Sequence, residues 1–228
     1  MNYDSHSIAM MEPKTRARFI NSLSGFKSAN LIGTCDLDGN ENLAIVSSAF
    51  HLGATPPLMG MIIRPSSVER HTLENILATK CYTINSVTHE FLASAHQTSA
   101  RYGKLESEFE KANLTPYYIS EFNAPFVMES PLKLAMNLVE HQTLAINGTE
   151  LLIGEIQHVL ISDTAVMPDG YVDIEALDIL TISGLDSYHI TQRVGRLSYA
   201  KPDQKLHPLT KEGEPSSWDA FGLSDFDR

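Results

Sequence analysis

Cysteine is scarce in this chain, which limits the chemistry that sulfur can supply. The 228 residues include two cysteines, Cys35 and Cys81, in separate apolar, strand-like runs. Two cysteines so far apart provide neither a zinc-binding pattern nor a disulfide framework. We therefore predict buried, reduced thiols in preference to a disulfide, as is usual in a reducing compartment.

Long hydrophobic runs are also missing. No apolar stretch approaches the ~20 residues needed to cross a bilayer. The N-terminal segment MNYDSHSIAM has no basic start, no apolar middle and no small-residue cleavage site. These absences predict a cytoplasmic protein without a membrane partner.

Positive charge is in short supply. Lys and Arg number 17 against 28 Asp and Glu, which gives a formal net charge of -11. Binding to DNA or RNA depends on a basic surface, so we expect no nucleic-acid partner. A ligand that carries phosphate would need a local cationic pocket in such an acidic protein.

Three common catalytic motifs do not occur. The patterns H-E-x-x-H, G-x-S-x-G and G-x-G-x-x-G are absent, which disfavours a zinc protease, an α/β-type serine hydrolase and a Rossmann domain. His141 and His158 fall on separate predicted strands, and we predict no metal site.

The hydrophobic fraction of 43% and the charged fraction of 20% are typical of a globular protein. We predict one domain over residues 1–202 and an acidic tail over residues 203–228, either mobile or lying on a partner. Periodicity and capping signals predict helices at 13–26, 71–79, 88–96 and from 107, and strands at 31–36, 42–50, 58–64, 82–87, 131–144 and 151–162. The expected fold class is mainly β with surrounding helices, a β-barrel of the α+β type.

A run of small residues stands out within the strand predicted at 42–50. Ser47, Ser48 and Ala49 allow a planar ring to approach the backbone donors and acceptors closely. An ordinary strand with a polar face explains the same composition and is the simpler interpretation.

A second cluster lies where the next strand gives way to a helix. Arg64 ends the strand, and Ser66, Ser67, Arg70 and Thr72 surround the helix start. A helix N-terminus offers free N–H groups and partial positive charge, and arginine adds a two-pronged donor, so the cluster has the outline of a phosphate site. A capping Ser66 with a solvated Arg70 is the alternative, and the residues alone do not decide between them.

Several short motifs, taken in order, resemble the flavin reductase-like family of FMN-binding split barrels. They are Asn42, Ser47-Ser48, Pro56-Pro57, Thr72-Leu73-Glu74-Asn75-Ile76, Tyr82-Thr83-Ile84-Asn85 and Ser107-Glu108-Phe109-Glu110, within a match of about residues 18 to 200. The resemblance implies an FMN-binding split β-barrel of Greek-key type. It also implies a homodimer with flavin near the interface.

The same resemblance implies roles for individual residues. The backbone of Ser47, Ser48, Ala49 and Phe50 would hold the isoalloxazine ring, and the ribityl chain and phosphate would be surrounded by Arg64, Ser67, Arg70, Thr72 and Asn75. His189 would lie near the reactive face of the flavin, where an imidazole can steady a nicotinamide or supply a proton. A surface or packed histidine is an equal alternative for His189.

We therefore predict an FMN-binding oxidoreductase, an NAD(P)H-dependent flavin reductase that transfers hydride from nicotinamide to FMN. Its partners would be NAD(P)H and an unidentified electron acceptor. A non-catalytic FMN-binding electron-transfer or interaction protein is the alternative. A barrel that has lost its flavin and now acts as an interaction module is a third hypothesis.

Overall fold

The computed structural model describes residues 1–65 and 69–218. The predicted flavin contact Ser67 and residues 219–228 of the predicted tail lie outside the described residues. Within the described ranges, no helix is both long enough and apolar enough to span a membrane.

Strands outnumber helices in the described residues. The α-helices are α1 (Ser5–Met10), α2 (Pro13–Leu23), α3 (His71–Thr79), α4 (Leu92–Gln97) and α5 (Glu108–Ala112). The strands are β1 (Lys27–Ser28), β2 (Asn30–Cys35), β3 (Glu41–Val46), β4 (Ala49–Ala54), β5 (Pro57–Ile63), β6 (Cys81–Ser86), β7 (Pro116–Tyr117), β8 (Phe126–Val127), β9 (Lys133–Leu144), β10 (Thr149–Leu160), β11 (Thr181–Ser183), β12 (Ser187–His189), β13 (Arg196–Leu197) and β14 (Pro208–Leu209). This content confirms the predicted class, mainly β with surrounding helices.

One antiparallel sheet of seven strands dominates the fold, in the order β3-β2-β6-β9-β10-β5-β4. Its two edge strands, β3 and β4, are separated in the sequence only by Ser47 and Ser48. Edges joined by so short a link lie close together, so the sheet curls into a barrel. The Ile62 N–H donates to the Ser48 carbonyl at 3.0 Å and holds the link against the end of β5.

Alternation along the strands divides the core between the two faces of the sheet. Leu31 and Leu43 pack in one buried cluster, whereas Ile32, the residue after Leu31, packs in another. Leu73 and Ile76 of α3 belong to the second cluster, so this helix covers that face of the sheet. Each such side chain stabilises the fold by roughly 1.5–3 kcal/mol when it is fully buried.

Some predicted elements have different bounds in the structure. The strand predicted at 42–50 is divided into β3 and β4, because the chain bends at Ser47 and changes its partner from β2 to β5. The helix predicted at 13–26 ends at Leu23, since Gly25 adopts a positive φ of 71° and ends the helical path.

The capping signals located the start of one helix correctly and misplaced the start of another. Ser107 is the N-cap residue of α5, as its motif predicts, but its side chain makes no cap hydrogen bond. The helix predicted from Thr88 begins at Leu92, because Thr88 pairs with Ile179 in an isolated β-bridge.

Residues 203–218 lie against the body of the same chain. β14 pairs with β13, and Lys211 Nζ lies 3.5 Å from Asp173 Oδ2. The buried Asp173 carboxylate also accepts a hydrogen bond from Arg193 at 3.0 Å. The role of the tail in contacting a second subunit stays a prediction.

Candidate functional site

An open pocket of about 380 Å³ lies beside the link between β3 and β4. Its walls come from the end of α2, the start of β1, the link itself, the start of β4 and β5. The described lining residues are Ile20, Asn21, Ser24, Lys27, Ser47, Ser48, Ala49, Phe50 and Ile62. The structure therefore brings the small-residue stretch predicted to bind a ring together with a helix end that the sequence did not associate with it.

The residues of the link have small side chains, which leave space in the pocket. Ser47 and Ser48 lie between two strands, so part of their backbone is outside the ladder hydrogen bonds of the barrel. Phe50, on β4, is 40% exposed, and its ring lies over Gly60 of β5. A Cβ atom at position 60 would overlap that ring, so the glycine is what lets Phe50 form a flat wall.

Lys27 is a site residue that the sequence analysis missed. Its ammonium nitrogen donates to the carbonyls of Asn21 at 3.1 Å and Gly184 at 3.2 Å, which fixes it at the pocket. The only local signal was a basic residue in a two-residue strand after a helix stop. That pattern is too common to predict a site.

The start of α3 keeps donor groups available, as a phosphate site requires. Arg70 is the N-cap residue and makes no side-chain cap hydrogen bond. Arg70 Nε and His71 Nε2 are buried without a hydrogen-bond partner among the described residues, although Glu69 Oε2 lies 3.7 Å from His71 Nε2. Arg64 is exposed just beyond β5, and neither arginine forms an ion pair within the described part of the chain.

Thr72 and Asn75 lie in a buried polar network beneath α3. The Thr72 hydroxyl donates to Asn42 Oδ1 at 2.9 Å, and Asn42 Nδ2 donates to Glu108 Oε2 at 2.7 Å. Asn75 Nδ2 donates to the Thr34 hydroxyl at 3.2 Å. In this arrangement both side chains brace the helix against the barrel, and their predicted contact with the ligand stays a prediction.

Thr72 and the pocket lie at opposite ends of β3. The pocket contains residues 47–50, but its lining does not include the described residues Arg64, Arg70, Thr72 or Asn75. Thr72 contacts Asn42, which precedes Ser47 by five residues, or about 16 Å of extended strand. Such a span suits an elongated ligand with a flat group at one end and an anionic group at the other.

His189 lies next to the pocket and not within its lining. Its Nε2 atom is 2.8 Å from the Ser183 hydroxyl, and its ring centroid is 4.7 Å from that of Phe26. His189 lies on β12, which pairs with β11. β11 in turn pairs with β1, and Lys27 is the first residue of β1. The imidazole therefore stands at the rim, oriented by a hydroxyl on one side and an aromatic ring on the other.

Comparison with known proteins agrees with this architecture. Residues 23–175 match the family model described as flavin reductase like domain. A candidate flavin reductase with a split barrel domain from Shewanella frigidimarina NCIMB 400 is 60% identical, with a TM-score of 0.85 over 88% of this chain and 100% of that chain. The predicted split barrel is thereby confirmed.

More distant structures share the fold. Nitrilotriacetate monooxygenase component B from Bacillus cereus is 19% identical, with a TM-score of 0.75 over 85% of this chain and 96% of its own. The flavoredoxin of Desulfovibrio vulgaris (Miyazaki F) is 23% identical, with a TM-score of 0.64 over 78% of this chain and 92% of its own. At these identities the likeness concerns the fold alone.

Proposed function

Because the chain belongs to the flavin reductase-like family, we propose that it binds FMN and transfers electrons from NAD(P)H through that flavin to an acceptor. The observation that carries the proposal is the pocket at the β3–β4 link. Its walls combine small side chains and one exposed aromatic face, which fit one side of a planar ring. When bound there, FMN supplies the hydride-accepting chemistry that no side chain can provide.

In this proposal the residues at the link bind and orient the ring. The backbone groups of Ser47, Ser48 and Ala49 face the polar edge of the isoalloxazine, except the Ser48 carbonyl, which accepts the Ile62 N–H. Phe50 packs on the apolar part of the ring. Backbone groups suit this task because they are rigid and cannot be titrated. The closely packed Phe50–Gly60 pair keeps that wall flat.

The proposed phosphate contacts lie just after β5 and at the start of α3, outside the lining of the pocket. Arg64 and Arg70 supply charged donors, and the N-terminus of α3 adds its partial positive charge. Ser67, predicted from the sequence to join them, lies outside the described residues. Thr72 and Asn75 hold the helix in place and line the path to the ribityl chain. The free Arg70 Nε atom supports this assignment.

His189 at the rim has the proposed role of steadying the nicotinamide or supplying a proton. Leu23 and Phe26, each 64% exposed beside the same rim, support the further proposal that a second copy of the chain covers the site in a homodimer. Light scattering of the purified protein tests this, since a monomer at micromolar concentration would contradict it.

The function itself is tested by absorption spectroscopy. We expect a yellow protein whose visible bands are bleached by NADH or NADPH in the absence of air. A yellow protein that neither nicotinamide reduces would instead indicate a non-catalytic FMN carrier. A colourless protein that ignores added FMN would refute flavin binding altogether.

A further inference from the structure

Lys27 carries the one charge among the described residues that line the pocket. It begins β1 directly after the turn that ends α2, and its side chain is partly buried. Two carbonyl oxygens, from Asn21 and Gly184, hold its ammonium nitrogen at 3.1 and 3.2 Å. Because an ammonium group has three N–H donors, one remains for another acceptor.

No carboxylate of the described residues lies within ion-pair distance of this ammonium group. Carbonyl dipoles fix the nitrogen without neutralising its charge. A protein with a formal net charge of -11 therefore presents an uncompensated cation at the wall where residues 47–50 lie. Partial burial lowers the local dielectric and strengthens the interaction of this cation with any charge in the pocket.

We propose that Lys27 stabilises the reduced flavin relative to the oxidised flavin and so raises the redox potential of the site. This inference rests on the proposed FMN function. Transfer of a hydride from NAD(P)H to oxidised FMN breaks the C4–H bond of the nicotinamide and forms an N–H bond on the flavin ring. The products are NAD(P)⁺ and a reduced flavin whose ring carries one more negative charge, so protons and electrons balance. The phosphate carries the same charge in both states, and only the ring differs.

A purely structural role for Lys27 makes a different prediction. Its bond to the Asn21 carbonyl lies at the C-terminal end of α2, where a cation stabilises the helix in any case. If that were its whole role, replacing it would change the affinities for oxidised and reduced FMN equally. The ratio of the two affinities therefore separates the hypotheses.

The experiment measures the midpoint potential of FMN bound to the full-length protein, together with the dissociation constants of oxidised and dithionite-reduced FMN. For the wild type we expect a bound potential more positive than that of free FMN. Lys27→Met should weaken the binding of reduced FMN about ten-fold more than the binding of oxidised FMN. This difference corresponds to a shift of about -30 mV in the midpoint potential of a two-electron couple. Lys27→Arg should keep the midpoint potential near that of the wild type. Lys14→Met, which removes an exposed charge from the other end of α2, should change neither the potential nor the two dissociation constants.

Each outcome is decisive. A wild-type potential at or below that of free FMN overturns the proposal without any variant, so a Lys27→Met protein that fails to fold leaves a valid test. If Lys27→Met loses equal affinity for oxidised and reduced FMN, or loses none, the proposal is also overturned. A wild type that binds FMN in neither state refutes the proposed function itself, which is a distinguishable result.

Discussion

Glu108, on α5, accepts a hydrogen bond from the side-chain amide of Asn42, on β3, at 2.7 Å. The same carboxylate oxygen accepts the Leu43 N–H at 3.0 Å, so it satisfies a backbone donor on the edge strand of the sheet. Through Asn42 the network continues to Thr72 of α3. One buried acid thus fixes the edge of the barrel and the start of a helix together.

Replacing this carboxylate should destabilise the protein strongly. Glu108→Ala leaves the Leu43 N–H and the Asn42 amide buried without an acceptor, and we expect a loss of about 2–3 kcal/mol in the free energy of unfolding. Urea titration followed by circular dichroism measures it. Glu110→Ala, an exposed acid on the same helix, is the control. Equal effects of the two substitutions would mean that the network contributes little.

Removing the two arginines should weaken FMN binding selectively. Arg64→Ala combined with Arg70→Ala removes the charged donors proposed for the phosphate, and each such contact is worth ~1.5–3 kcal/mol, or about ten-fold or more in affinity. Riboflavin lacks the phosphate, so its affinity should change little. Fluorescence titration with both flavins gives the comparison, with the exposed Arg101→Ala as the control. A parallel loss for riboflavin and FMN would place the phosphate elsewhere.

Local patterns predicted some of this site well and could not predict the rest. Sequence periodicity located β2, β5, β6 and α3, because the pattern of apolar and polar residues that marks a strand or a helix lies within a few consecutive residues. The Glu108–Asn42 bond joins residues 66 positions apart, and it exists only because α5 docks on the edge of β3. Lys27 likewise becomes a pocket residue only when the barrel brings the β3–β4 link to the end of α2. No window of sequence contains either relationship.

Gly60 leaves no room for a methyl group as long as the Phe50 ring keeps its position. In Gly60→Ala the new Cβ overlaps the Phe50 ring and pushes it into the pocket, at a cost of about 1–3 kcal/mol in stability and with weaker FMN binding. Gly53→Ala on β4 is the matched control, since its Cβ would meet only the Pro56 carbonyl at 3.5 Å. Thermal unfolding and flavin titration report both effects. Tolerance of Gly60→Ala would show that Phe50 moves freely.

Glu150 should give stability that disappears in acid. Hydrogen bonds from Thr143 and His141 lower its pKa below the ordinary value of 4.5. A carboxyl whose pKa is lower in the folded state contributes stability above its unfolded pKa and loses it as the pH falls through the folded pKa. The difference in unfolding free energy between wild type and Glu150→Gln should therefore be full at pH 6, shrink from about pH 4.5 downwards and then vanish.

Urea titrations over that pH series test the dependence on Glu150. Glu140→Gln, an exposed carboxyl on the neighbouring strand, controls for the change in net charge. A wild-type advantage that stays constant down to pH 3 would contradict the assignment.

His189 should affect the rate of flavin reduction and not the binding of flavin. Its imidazole lies beside Phe26, bonded to Ser183, and does not line the ring pocket; the proposed function places the nicotinamide on this side. We expect His189→Gln to slow anaerobic reduction by NAD(P)H about 100-fold if it transfers a proton, with FMN affinity changed less than about two-fold.

Stopped-flow absorbance at several pH values distinguishes the two roles proposed for this imidazole. Loss of the pH dependence in the variant indicates proton transfer, whereas a higher KM at unchanged kcat indicates a role in holding the nicotinamide. His96→Gln is the control, because His96 is hydrogen-bonded to Tyr188, the residue before His189 on β12. If both variants reduce flavin at the wild-type rate, His189 is a packed surface residue, because the chemistry then proceeds without it.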